Sequence, residues 1–145
     1  LPLLKLGLPS NLDAWDGYPA ERDRIFSLFK NNNSKLISLA GDTHNAWFSK
    51  LFNNAEEHIG YEFGTPSVTS PGLSEYLNGV NPGELEQGII NANKEIKWVN
   101  TSHRGYTKIY LNESILKGTF KFIESVLEKS AEISFSKTFT IDPKS

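Results

Sequence analysis

Apolar residues recur with a helical period in two parts of the chain. In the first part, Ile25, Leu28 and Phe29 follow Pro19, which suits the first position of a helix. This spacing predicts an amphipathic helix from about residue 19 to residue 30. The three asparagines at 31 to 33 tolerate a left-handed backbone and should end this helix.

The second helical pattern begins with an N-terminal capping signal. Asn81 is followed three residues later by Glu84, which resembles a capping box with Asn in place of Ser or Thr. Leu85, Ile89 and Ala92 then share one helical face. We therefore predict a helix over roughly residues 82 to 93.

Short apolar runs between the two helices predict the strands and the short helix that follow the first helix. The run LISLA at 36 to 40 is typical of a strand buried on both faces. The segment NAWFSKLF at 45 to 52 fits a short helix with Trp47, Phe48, Leu51 and Phe52 on its inner side. The first half of GYEFGTPSVTSPG at 60 to 72 reads as a strand, and its second half as an ordered turn. A helix followed by a buried strand indicates a layered α/β fold.

From Lys97 onward the apolar period changes from 3.6 to 2. The runs KWVN, GYTKIYL, GTFKFIESV and ISFSKTFTI are all β-type, and LEKSAE is expected to connect the last two as a hairpin. In the last run Ile133, Phe135, Phe139 and Ile141 fall on one face. We expect this C-terminal third to form an antiparallel meander.

Composition narrows the class of protein. A chain of 145 residues fits one domain, and its net charge of −2 with no run of basic residues argues against nucleic-acid binding. The longest apolar runs are much shorter than the roughly 20 residues that a membrane span requires. Because the chain has no Cys, any metal would have to be held by oxygen and imidazole ligands. The chain also has no Met and begins with LPLLKLGLPSN, so we expect it to be a piece of a longer protein.

The stretch LAGDTHNAW at 39 to 47 holds the candidate chemistry. Asp42 and His44 stand two residues apart directly after an apolar run, and alternate residues of an extended chain share a face. A carboxylate and an imidazole at one sheet rim suit zinc, iron or manganese. The structural alternative is that Gly41 makes a turn, Asp42 caps a helix and His44 is incidental. Two ligands cannot close a metal shell, so further ligands would have to come from elsewhere.

Other polar residues are weaker candidates for a site. Asp13 and Asp16 flank Trp15 before the first helix, where turn formation explains them, and His58 follows two glutamates in a loop. His103 lies in NTSHRGY beside Arg104, whose guanidinium could bind a phosphate bidentately.

A metal-independent hydrolase is a second alternative, since Ser67 and Ser70 accompany His44 and Asp42 in the chain. However, the nucleophile elbow G-x-S-x-G is absent, and no spacing rule joins these residues.

Four blocks appear in a fixed order: WDGYPAERDRI at 15 to 25, LAGDTHNAW at 39 to 47, YEFGTPSVTSPG at 61 to 72 and WVNTSHRGY at 98 to 106. Together they resemble the C-terminal part of the PhoD-like alkaline phosphatases, which belong to the calcineurin-like metallophosphoesterases. The resemblance covers most of the chain, and its two most specific blocks are SVTSPG and WDGYP.

The resemblance implies a phosphatase or phosphodiesterase that uses metal-activated hydroxide, with iron and calcium as the metals. It carries Asp42 and His44 over as metal ligands, and it marks Asp16, His103 and Arg104 as positions that bind phosphate or shape the site. It also implies the C-terminal half of a layered αββα fold, with residues 1 to 145 forming part of a single domain. Members of this family are often exported, whereas the chain itself does not indicate a compartment.

The metal motifs that the family carries further upstream have no counterpart in this chain. The resemblance therefore implies half an enzyme that is inactive alone, whose partners are a phosphate ester and the missing N-terminal half. Half of such a fold leaves strand edges uncovered, which predicts self-association. A noncatalytic binding module that retains half of the fold remains the other alternative.

Overall fold

A computed structural model describes residues 14–130 and 132–142, which form two sheets and three helices. The elements follow one another along the chain as α1 (Pro19–Asn31), β1 (Leu36–Ala40), β2 (Ala46–Phe52), β3 (His58–Gly64), α2 (Leu73–Tyr76), α3 (Pro82–Ala92), β4 (Ile96–Asn100), β5 (Arg104–Leu111), β6 (Leu116–Ile123) and β7 (Ile133–Ile141). A short 3-10 turn, Trp15–Gly17, precedes α1. The mixed α/β class predicted from the sequence is confirmed.

Two of the three predicted helices are present close to their predicted bounds, as α1 and α3. Pro19 begins α1, and Asn33 takes a left-handed backbone with φ of 51° just after it. At the start of α3, the Asn81 side chain accepts hydrogen bonds from the backbone N–H groups of Gly83 and Glu84. These bonds satisfy amide groups that the first helical turn leaves unpaired.

The helix predicted for NAWFSKLF is wrong, because Ala46–Phe52 forms strand β2. In this strand Trp47 contacts the layer that contains α3, while Phe48 belongs to the core between the two sheets. The first four residues of β2 are all buried. A central strand with both faces covered is apolar on both faces, which hides the period of 2 that would identify it.

The first sheet has the strand order β1-β3-β2-β4. β1 pairs parallel with β3, while β2 runs antiparallel to both β3 and β4. As a result the carboxyl ends of β1, β3 and β4 and the amino end of β2 lie along one edge of this sheet.

Two predictions about this sheet are wrong. KWVN lies in this sheet and not in the meander. LISLA is not buried on both faces, because it is an edge strand in which Leu39 is 61% exposed.

The second sheet is the predicted antiparallel meander, with order β5-β6-β7. Its inner face packs on the first sheet through one core, which contains Ala46, Phe48, Phe63, Leu116, Phe120, Phe122 and Ile141. Phe139 stacks on Phe48 with ring centroids 3.9 Å apart, and Phe135 stacks on Phe122. A shift in the strand register separates Phe135, which pairs with the buried Phe122, from Ile133, which pairs with Ile123 on the other face of β6. The apolar face of β7 therefore starts at Phe135, and the prediction that Ile133 shares it is wrong.

Helix α3 covers the opposite face of the first sheet, where Ile89 packs with Trp47, Ile96 and Val99. The order of layers is therefore helix, sheet, sheet. No helix among the described residues is long and apolar enough to cross a membrane.

A close contact between the sheets involves Gly118 of β6. A Cβ atom at this position would lie 2.1 Å from Cε1 of Phe63, whose ring is fully buried. We expect Gly118→Ala to destabilise the protein by about 1 to 3 kcal/mol, because the packed ring must shift. Urea denaturation monitored by tryptophan fluorescence would measure the change.

Gly88→Ala in α3 is the matched control for this change. A Cβ atom at Gly88 meets no heavy atom within 4 Å. Alanine favours a helix more than glycine does. The free energy of unfolding of this variant should therefore stay the same or rise by up to about 1 kcal/mol. Equal stability of the two variants would contradict the proposed role of Gly118.

Candidate active site

Three loops meet at the edge where β1, β3 and β4 end. Residues 41 to 45 connect β1 to β2, residues 65 to 72 follow β3, and residues 101 to 103 follow β4. The carboxyl ends of parallel strands are where open α/β sheets commonly place their ligands. The order and direction of the strands therefore place the predicted metal motif and the SVTSPG turn at the same edge of the sheet.

Asp42 and His44 lie in the first of these loops, in a bend and not in extended chain. Both residues have a left-handed backbone, with φ of 69° for Asp42 and 59° for His44. The premise that they share a face as alternate residues of a strand is therefore wrong, since β1 ends at Ala40. Asp and His are among the residue types that adopt this conformation more readily than most. Two such residues in five indicate a loop whose shape is imposed by its contacts.

One of those contacts fixes the ring of His44. Its Nδ1 atom lies 3.1 Å from the carbonyl oxygen of Pro71, in the loop after β3. A carbonyl oxygen only accepts hydrogen bonds, so in the neutral ring this contact places the proton on Nδ1 and the lone pair on Nε2. A metal-binding histidine usually donates its other ring N–H to a carbonyl or carboxylate in this way.

Asn45 ties the same two loops together and was not singled out from the sequence. Its side chain is buried; Oδ1 accepts a hydrogen bond from the backbone N–H of Leu73 at 2.9 Å, and Nδ2 donates to the carbonyl of Thr43. The Thr43 hydroxyl in turn accepts from Trp47 Nε1 at 2.7 Å. An Asn directly before a buried apolar run was the available sequence signal, but its partner is 28 residues away.

Arg104 is 4% exposed and is bonded within the protein. Its guanidinium pairs with the Glu75 carboxylate and also donates to the carbonyl of His103 at 3.0 Å. The same Glu75 oxygen accepts from the backbone N–H of Gly72 at 2.6 Å. A Cβ atom at Gly72 would lie 2.5 Å from the carbonyl oxygen of Thr101, so only glycine fits where these loops cross.

His103 is half-buried and is held at the end of β4. Its Nδ1 lies 3.1 Å from the Asn100 side-chain nitrogen, and its ring meets the ring of Phe135 edge-on. Asp16 belongs to the 3-10 turn before α1. Asp13 lies outside the described residues.

The two candidate serines are part of an ordered turn. The Ser67 hydroxyl donates to the carbonyl of Ser70 at 2.5 Å, and the Ser67 carbonyl accepts from the backbone N–H of Gly105 at 3.0 Å. These bonds give the SVTSPG segment its shape and join it to β5.

His58 starts β3 and therefore lies at the opposite edge of the sheet. Its Nδ1 is 3.3 Å from Lys35 Nζ, which is an ammonium donor. Burial, followed by the charges of Lys35 and Lys50, lowers the pKa of His58 below its ordinary value. His58 is thus separated from the loops that hold Asp42 and His44.

The residues present fit a metal only in part. Asp42 offers an exposed carboxylate, and the contact of His44 Nδ1 with Pro71 leaves the Nε2 atom of the neutral ring for a metal. Within residues 14–130 and 132–142, however, no group of three or more acidic or imidazole side chains could hold an ion. Asp42 and His44 would give at most two ligands, whereas a metal shell typically needs four.

Comparison with known proteins identifies the family of this chain. A family model described as PhoD-like phosphatase matches residues 4–120. The chain belongs to the PhoD-like phosphatase family. The match includes all three loops of the candidate site. It therefore confirms the resemblance inferred from the four sequence blocks.

The chain is also similar to part of a curated alkaline phosphatase. The chain is 31% identical over 134 residues to alkaline phosphatase D of Bacillus subtilis (strain 168), and the match covers 89% of the chain. These residues span 22% of the length of that phosphatase. No solved structure matches the chain.

The three histidines should differ in tautomer in their neutral forms. His44 should carry its proton on Nδ1, because Pro71 offers only an acceptor. His58 and His103 should carry theirs on Nε2, because Lys35 and the Asn100 amide donate to their Nδ1 atoms. Long-range proton–nitrogen NMR spectra at alkaline pH distinguish the two forms. A proton on Nε2 of His44 would refute the Pro71 contact.

The lowered pKa of His58 should make stability depend on pH. The unfolded chain, with a pKa near 6.5, binds this proton more readily than the folded one. Stability should therefore fall as the pH drops through that value, and level off below the folded pKa. His58→Gln should flatten this part of the curve between about pH 7.5 and about pH 5.5. Urea midpoints of both proteins over this range test it, and parallel curves would contradict it.

Proposed function

We propose that the protein to which this chain belongs hydrolyses phosphate esters with bound metal ions, and that Asp42 and His44 supply two of the metal ligands. The observation that carries this proposal is the His44 ring, whose Nδ1 is bonded to Pro71 so that Nε2 is left for a metal. Family membership and the similarity to an alkaline phosphatase support the reaction class. Iron and calcium are the metals that the family resemblance favours.

The residues around these two ligands hold the loop in place. Pro71 orients the imidazole, and Asn45 fixes the backbone on both sides of His44. Arg104 is buried against Glu75 and shapes the crossing of the loops, whereas an exposed arginine would be required to hold a substrate phosphate. We assign His103 the same shaping role, since its ring nitrogen is engaged by Asn100.

When bound, the metal ions would supply an acidified water and positive charge for the phosphoryl oxygens. The chain contributes by placing a carboxylate and an imidazole at the rim of the sheet, where a phosphate ester has open access. Two donors do not fix the positions of two ions. The remaining ligands must come from another part of the longer protein, and the 145 residues alone should be inactive.

A noncatalytic binding module is the second candidate for the chain itself. It is favoured by the small number of metal-competent side chains that the described residues bring together. This candidate predicts that Asp42 and His44 can be replaced without consequence for the longer protein.

The isolated chain should fail to hydrolyse a chromogenic phosphate ester with iron and calcium present. To test the role of its residues, the chain can replace the matching segment of the Bacillus alkaline phosphatase, to which it aligns over 134 residues. The chimera should be active, and chelation should abolish its activity. Asp42→Asn should lower kcat/KM on the order of 10²-fold or more, since even residues that only orient a metal ligand cost roughly 10- to 100-fold.

His58→Gln is the matched control in the chimera, because this residue lies at the opposite edge of the sheet. It should leave kcat/KM unchanged. A folded, active chimera that is indifferent to Asp42→Asn and to chelation would overturn the metal-ligand assignment. Chelator-sensitive activity of the isolated 145 residues would overturn the proposal that this chain supplies only part of the metal ligands.

A further inference from the structure

The second sheet has one face in the core and one face directed away from it. On β6, Phe120 and Phe122 are buried in the core, and burial alternates along the strand. Because alternate residues of a strand point to opposite faces, Lys117, Thr119 and Lys121 lie on the outer face. This face carries positive charge in a chain whose net charge is −2.

Strand pairing places aromatic rings beside these lysines. On β5 the outward residues are Tyr106, Lys108 and Tyr110. The register sets Tyr106 opposite Lys121 and Tyr110 opposite Lys117. The two tyrosines are 48% and 53% exposed. Four residues of strand separate them by about 13 Å, and Lys108 stands midway between them.

Strand β7 adds hydroxyl groups to the same face. Its residues Ser136, Thr138 and Thr140 pair with the outward residues of β6. The hydroxyl oxygens of Thr138 and Thr119 lie 3.0 Å apart. We name the outward side chains of residues 106–110, 117–121 and 136–140 the outer sheet face.

The outer sheet face is unsuited to burial under a helix. None of its side chains, three from each strand, is aliphatic or a carboxylate, and the apolar pair of Ile123 and Ile133 lies in the next row. Helices pack on a sheet through apolar side chains. In the part of the chain that the structure describes, none of Lys108, Lys117 and Lys121 forms an ion pair. The face therefore offers three ammonium groups to a ligand from solution.

The chemistry of this face favours a ligand that has both phosphates and flat rings. Ammonium and hydroxyl groups bind phosphate oxygens, and exposed tyrosine rings stack on bases. Sheets that bind single-stranded nucleic acid combine these features, with aromatic rings for the bases and basic side chains for the phosphates. An anionic lipid surface offers negative charge to the lysines but no ring on which the tyrosines could stack.

We infer that the outer sheet face binds single-stranded nucleic acid, with bases stacked on Tyr106 and Tyr110 and phosphates held by the three lysines. The composition argues against nucleic-acid binding only for a chain with a basic run. Here the lysines are separate in sequence, and strand pairing gathers them. This inference does not rest on the proposed function, since the face contains none of the residues assigned to the metal site.

Fluorescence anisotropy of a labelled oligothymidylate of about 10 nucleotides, with the purified 145 residues, tests the inference. A chelator in the buffer keeps metal ions from bridging phosphate to Asp42 and His44. We expect saturable binding whose log K falls with log salt at a slope of about −2, since each phosphate contact contributes about −0.7. In Lys108→Gln the slope should become about −1.4, because one contact is lost.

The aromatic part is tested by Tyr106→Leu, which should weaken binding on the order of tenfold because a base loses its stacking partner. Two matched controls lie outside the outer sheet face: Tyr76→Leu, at a tyrosine that is 65% exposed in α2, and Lys97→Gln, at an exposed lysine in β4. Both should leave the affinity and the salt slope unchanged. All four side chains are exposed, so the variants should fold, and circular dichroism would verify this.

Several results would overturn the inference. These are the absence of saturable binding, equal effects of Tyr106→Leu and Tyr76→Leu, and a salt slope that Lys108→Gln leaves unchanged. Vesicles of an anionic phospholipid test the lipid alternative under the same conditions. Tighter binding to these vesicles than to the oligonucleotide would assign the face to a membrane surface and also overturn the inference.

Discussion

The packing of Phe63 against the glycine at 118 sets the distance between the two sheets, and the candidate site depends on that distance. Phe63 is the next-to-last residue of β3, so the loop after β3 begins where this contact is made. Two bonds hold the start of this loop on β5: the Thr65 hydroxyl donates to that of Thr107, and Gly105 donates to the carbonyl of Ser67. The same loop contains Pro71, whose carbonyl contacts the His44 ring.

The loop that bears Asp42 and His44 is shaped by hydrogen bonds to neighbouring loops. A left-handed backbone at two residues other than glycine costs free energy, of order 1 to 3 kcal/mol for each residue in a sparsely populated region. Two hydrogen bonds of the Asn45 side chain offset this cost: it accepts one from the backbone N–H of Leu73 and donates one to the carbonyl of Thr43. Neither bond requires a bound ligand. The protein itself therefore organises the loop. Such preorganisation reduces the ordering that binding would otherwise require.

The sequence predicted those features whose signals are local. Helices α1 and α3 have a proline or an Asn cap at the start and a clear helical period. β2 was not recognised, because its two faces meet different apolar layers and the pattern alone does not separate them. Within the site, the G-D-x-H motif indicated its two candidate ligands through their own chemistry. Glu75 carries no such signal, since it acquires its role from Arg104, which is 29 residues away.

Strand β1 leads into the candidate ligand loop and also forms an edge of the first sheet. β1 leads into the loop that presents Asp42 and His44, and among the described residues it is one of the two edge strands of the first sheet, with β4 at the other edge. A strand added parallel to β1 would end beside that loop and could bring ligands to it, whereas a strand added antiparallel would end at the far edge. The direction in which this edge is paired therefore decides whether an added strand ends beside the candidate ligands Asp42 and His44 or away from them. Sequence alone sets the apolar character of the edge, but the partner that covers it sets the chemistry.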